Sequence, residues 1–125
     1  MQITVKDETR VIEVVDEFNR IFPFLKLEFH FLPNGHPGQL ISNVQQTFRM
    51  FRKESDNNRH VDILPDMTVV DLDRLFREAF GISAQVFRKS GTIWLKATLT
   101  DKWTLEEQNR LGGTISGQLS KPRKE

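Results

Sequence analysis

At 125 residues, with 38% hydrophobic and 28% charged residues, the chain has the length and apolar content of one globular domain, not of a disordered segment. Eighteen Lys and Arg against seventeen Asp and Glu leave a formal charge of +1, too balanced for a polyanion binder or an acidic solvating tail. The absence of cysteine excludes disulfides, thiolate chemistry, iron–sulfur clusters and zinc–thiolate sites.

Ile3 and Val5 alternate with Thr4 and Lys6, the pattern of a short first strand. Asp7 or Thr9 is placed to cap the helix that follows. Val11, Val14, Val15, Phe18, Ile21 and Phe22 recur at three- and four-residue spacing and form one apolar stripe. Pro23 stops that helix. Leu25, Leu27, Phe29 and Phe31 then face one way along a strand while Lys26, Glu28 and His30 face the other. Pro33 to Gly38 is dense turn chemistry. Between Leu40 and Arg52 the apolar residues Leu40, Ile41, Val44, Phe48 and Phe51 fit a helix, and strands with a bend fit as well. Residues 54–59 read as an exposed loop.

Val61 and Ile63 make a brief strand before a second helix. Thr68 is its N-cap, Val69, Leu72, Leu75, Phe76, Ala79 and Phe80 its buried stripe, and Gly81 its C-cap. Asp73 with Arg77 and Arg74 with Glu78 read as outward ion pairs. Two strands follow, Ile82 to Lys89 and Thr92 to Leu99, joined at Ser90-Gly91. Thr104 to Glu107 is a capping box that opens a short helix to about Leu111, ended by Gly112-Gly113. The domain is therefore expected to span residues 1–113, with 114–125 as a mobile C-terminal tail. Met1 to Lys6 shows no signal-peptide pattern and no apolar run reaches a membrane span, so a cytoplasmic location without membrane contact is expected.

Two segments share one layout at an offset of about 58 residues: Val11, Val14, Phe18 and Phe22 match Val69, Leu72, Phe76 and Phe80, with strands before and after. Chance likeness between two ordinary βαβ patterns would look the same. Either way, two such units in one sheet predict an α+β two-layer sandwich of ferredoxin-like type, extended by the C-terminal hairpin and short helix.

The hairpin comes nearest to function. A two-residue Ser90-Gly91 turn sets Phe87 opposite Trp94 and Gln85 opposite Lys96. One face then holds Ile82, Ala84, Val86, Ile93, Leu95, Ala97 and Leu99, with Arg88 the exception, and is expected to be core. The other sets Phe87 and Trp94 among Ser83, Gln85, Lys89, Lys96 and Thr98. Such a ring pair stabilises a hairpin by about 0.2–1 kcal/mol with no ligand. A half-exposed platform would instead anchor a protein partner or stack single-stranded bases.

His30, His36 and His60 show no metal-ligand rhythm, and the glycines lack the context of a phosphate loop. No cofactor, metal or catalytic constellation is read, so an enzyme is not expected. The candidate binding residues are Phe87, Arg88, Lys89, Trp94, Lys96 and Trp103, serving an unidentified protein partner. Weak single-stranded nucleic-acid binding is the alternative.

Gln85-Val86-Phe87-Arg88-Lys89-Ser90-Gly91, Trp94-Leu95, the run from Thr100 to Asn109, and Phe22 to Phe29 resemble a family of small uncharacterised bacterial proteins. The resemblance covers most of the chain and is weakest across residues 33–60. It implies no activity, ligand or site residue.

Overall fold

The computed structural model describes residues 2–51, 60–98 and 100–120. The loop expected at 54–59, Leu99 and residues 121–125 lie outside them. The elements run β1 (Ile3–Val5), α1 (Val11–Ile21), β2 (Leu25–Phe31), β3 (Val61–Ile63), α2 (Val69–Phe80), β4 (Ile82–Ser90), β5 (Ile93–Lys96) and α3 (Leu105–Ser120). No helix among the described residues is long and apolar enough to cross a membrane.

The architecture is α+β, but its described strands do not form the single ferredoxin-like sheet expected above. β1 pairs with β3, and β2, β4 and β5 form a separate antiparallel sheet in the order β2-β4-β5. Alternation specifies which face of a strand is buried, not which strand it pairs with, so element order alone left the sheets open. Thr4 lies opposite Asp62 and Glu28 opposite Gln85. These are matched positions of the two similar segments, so each pair of strands meets about a local two-fold relation.

The repetition extends into regions where the amino acids show little of it. At the start of α1 the Val11 and Ile12 N–H groups donate to Gln46 O (2.9 Å) and Val44 O (2.8 Å). At the start of α2, Val69 and Val70 donate to Trp103 O (3.4 Å) and Asp101 O (3.0 Å). Phe48 N–H to Thr9 O is matched by Leu105 N–H to Met67 O, and the bridge Arg10–Thr47 by Thr68–Thr104. All of these recur, within one residue, at the 58-position offset that separates Thr4 from Asp62. A helix start leaves free N–H groups, and a carbonyl-bearing segment laid beside it satisfies them. Here the chain supplies that segment twice.

Residues 40–51 are consequently not the helix that their spacing suggested. Leu40 bridges to His30, Thr47 bridges to Arg10, and only a 3₁₀ turn at Phe48–Phe51 is helical. Phe48 is fully buried. Its ring lies 5.3 Å from Phe29, 5.8 Å from Phe76 and 5.2 Å from Phe80. It thereby joins the stripe of α2 to the inner face of β2. Val11, Val14 and Phe18 of α1 and Val69, Leu72, Phe76, Ala79 and Phe80 of α2 are buried as their spacing predicts. Each such large side chain contributes roughly 1.5–3 kcal/mol relative to exposure.

The start of α1 also departs from expectation. Its N-cap is Arg10, whose N–H donates to the Glu13 carboxylate at 3.0 Å, while Thr9 Oγ1 accepts from Lys6 N–H. On the helix surfaces, Arg20 pairs with Glu17 and Arg74 with Asp71.

α3 continues through Gly112 and Gly113 to Ser120, so residues 114–120 are helical and not a tail. A Cβ at Gly112 would lie 2.9 Å from Phe24 Cβ and 3.0 Å from Arg88 Cγ. The glycine pair is thus a point of close approach between helix and sheet, where a missing side chain lets the backbone come near.

Candidate functional site

Gly91, at φ +66°, occupies the first position of the hairpin loop, so the loop is Gly91-Thr92 and not Ser90-Gly91. That first position is where a type II′ hairpin needs glycine. The register is Ser90–Ile93, Lys89–Trp94, Arg88–Leu95 and Phe87–Lys96. Because the shift is two residues, each face keeps its expected members while every facing pair changes. Phe87 and Trp94 remain on one face, now diagonal to each other.

Lys26 of β2, opposite Phe87 on its other side, fills the space between the rings. Its ammonium lies 5.3 Å from the Phe87 centroid and 5.5 Å from that of Trp94, within cation–π range. Glu28 links Lys26 (3.5 Å) to His30 (3.3 Å), and His30 Nδ1 lies 3.0 Å from Gly38 O. His30 is thus half-buried and partnered. Phe87, Lys89 and Trp94 are half-buried and Lys96 is exposed.

Ser83 and Gln85, expected to ring the aromatic pair, are buried. Among the described residues, Ala84 has no strand partner on its outer side. Asp73 takes that place: its Oδ1 accepts from Ala84 N–H and Ser83 Oγ, both at 2.9 Å, and its Oδ2 from Arg77 Nε. Gln85 Nε2 donates to Ser83 Oγ. Asp73 and Arg77 do pair as expected, but the carboxylate also closes an open sheet edge. A groove of about 330 Å³ runs alongside, lined in part by Asp73, Arg77, Lys96, Thr98 and Asp101. Among the described residues, no group of three or more His, Cys, Asp or Glu is placed to hold a metal ion.

Arg88 points to the opposite, inner face. Its Nη1 donates to Gln108 Oε1 (2.7 Å) and Thr100 Oγ1 (3.0 Å), and Gln108 is fully buried. It fastens α3 to the sheet. Trp103 is 42% exposed but sits beside the start of α2, where its carbonyl accepts from Val69 N–H. Of the six candidate residues, the hairpin therefore groups Phe87, Lys89, Trp94 and Lys96, with Arg88 turned inward and Trp103 held at α2.

Ile93 and Leu95 were expected in the core, yet they are 57% and 44% exposed. The helices pack over β2 and β4, and β5 projects beyond them as the edge strand. Lys26 lay outside the candidates because alternation placed it on a polar face without showing which strand would come beside it.

Comparison with protein-family models, curated proteins and solved structures returned no match. The chemistry of this surface is what remains to assign it.

Proposed function

We propose that the chain is a non-enzymatic protein-interaction module that engages its partner through the hairpin, using the outer face around Phe87, Trp94 and Lys26. The observation that carries this is the double exposure of β5. It presents a half-buried Trp94 on one side and solvent-exposed Ile93 and Leu95 on the other. Aliphatic surface of this kind is buried favourably by another polypeptide, at roughly 25 cal/mol per Å². It offers nothing to a nucleic acid, whose binding rests on phosphate pairing and ring stacking. The ring faces that a base would stack upon are already approached by the Lys26 ammonium.

A Trp103→Phe variant leaves Trp94 as the one indole, so its emission reports this face alone. Titration with mixed single-stranded RNA and DNA at low and moderate salt is expected to leave that emission unchanged. A saturable titration that weakens steeply with salt would replace the proposal with single-strand binding, since counterion release is its mark.

A further inference from the structure

If the hairpin does engage a polypeptide, the backbone indicates how, and the inference that follows rests on that proposal. Ala97 N–H donates to Val86 O, and Lys89 N–H turns the other way, to Phe24 O on the β2 side. Alternation then directs the backbone groups of Ile93 and Leu95 toward β4 and those of Trp94 and Lys96 away from it. No described strand lies beyond β5. Natural edge strands are blunted by proline, bulges or inward-pointing charges. β5 reads Ile-Trp-Leu-Lys, pairs without a bulge, and directs two uncharged aliphatic side chains inward. Its protection consists of its four-residue length and Lys96.

Charge selects the occupant. The outer face of the sheet carries Lys26, Lys89 and Lys96 against one carboxylate, Glu28, which is shared between Lys26 and His30. A second copy pairing edge to edge would bring two such cationic faces together. A strand with acidic residues at alternate positions would set them beside Lys96, with Lys89 one strand further in, and place its apolar residues against Ile93 and Leu95. We infer that β5 is a site of strand addition for an extended peptide that alternates acidic and apolar residues, with the acids on the Trp94–Lys96 side.

The probe is a short labelled peptide of alternating Glu and Val, with a Lys/Val peptide as its control, followed by fluorescence anisotropy on the whole chain. The Glu/Val peptide is expected to bind and the Lys/Val peptide to fail. Lys96→Pro removes an outward N–H without touching the β4 ladder, and Leu95→Lys puts a charge on the inner side. Each should weaken binding about tenfold or more. Far-ultraviolet circular dichroism and an unchanged melt would show that both variants still fold. Binding that survives both variants but is lost in Phe87→Ala would overturn strand addition while leaving the interaction face standing. Equal binding of the two peptides would overturn the charge selection. Failure of the Glu/Val peptide to bind would overturn the inference, and so would a concentration-dependent dimer in sedimentation without peptide, which would assign the edge to a second copy.

Discussion

The two halves of the molecule solve one local problem with different material. In the first, the segment that satisfies the start of α1 ends in a 3₁₀ turn, and it sends Phe48 into the space between β2 and α2. In the second, the segment that satisfies the start of α2 leads into the 16-residue helix α3, and it buries Leu105 at the matching position. Both segments present carbonyls that accept from the N–H groups of a helix start, and both then plug a large apolar side chain into the core. They differ in what comes next. α3 goes on to cover the hairpin stem through Arg88, Gln108 and Gly112, whereas the first half continues past Phe51 into residues outside those described. Backbone geometry can thus repeat where side chains do not, because carbonyl caps are indifferent to residue type.

Substitution at the two plugs is the strongest way to break the comparison. Phe48→Ala should cost about 3–5 kcal/mol and Leu105→Ala about 2–5 kcal/mol, measured by urea denaturation, since each leaves a cavity at a fully buried site. A loss below 1 kcal/mol at either would show that the segment is a surface strap and not a plug.

Two of the three glycines of α3, Gly112 and Gly117, sharpen the contrast on a smaller scale. Gly112→Ala forces a methyl group against Phe24 and Arg88 and should destabilise by about 1–3 kcal/mol. Gly117→Ala meets nothing within 4 Å and should stabilise by up to about 1 kcal/mol through helix propensity. Equal effects at both positions would remove the close-approach explanation of the glycine pair.

Asp73 has no counterpart in the first half, where Val15 holds the matching place. Asp73→Ala strands the Ala84 N–H and Ser83 hydroxyl at the open edge of β4, and a loss of about 1–3 kcal/mol is expected. Faster hydrogen exchange at Ala84, with α1 unaffected, would localise that loss. Uniform acceleration across the chain would argue against a local edge cap.

The smallest effect concerns the start of α3. Thr104 N–H donates to Glu107 at 3.0 Å and holds its carboxyl below the usual glutamate range, with the Thr104 side chain adding to this. A depressed carboxyl stabilises the folded state at pH values above its unfolded value. That contribution fades as pH falls through the lower folded value. Melting between pH 7 and pH 3 should therefore show an acid-side slope that Glu107→Gln makes slightly shallower, the remainder belonging to carboxyls such as Glu17, which Arg20 holds low. An identical slope in the variant would assign it to other carboxylates.

Periodicity made α1 and α2 legible, since Val11, Val14 and Phe18, or Leu72, Phe76 and Phe80, recur at helical spacing and are buried for that reason. The same logic failed between Leu40 and Phe51, because a chain held by caps to α1 has no period of its own. Of the candidate surface, the faces of the hairpin were legible and the pairing was not. Parity survives a two-residue shift of the loop, so Phe87 and Trp94 share a face in either register. Neither Lys26 between the rings nor the exposure of Ile93 and Leu95 could be read without knowing that β2 lies on one side of β4 and that the helices stop short of β5.

What the sequence determined by itself are local quantities: which segments coil or extend, which side of each is apolar, and where Thr68 and Thr104 open helices. The tertiary structure alone decided the partners. β1 pairs with β3 and not with β2, Asp73 serves a strand edge besides Arg77, and Gly112-Gly113 marks a contact within a helix and not its end. The physical reason is common to all three. Propensity and alternation act over a few residues, whereas pairing, edge capping and close approach depend on groups far apart in the chain that meet only once the core has formed.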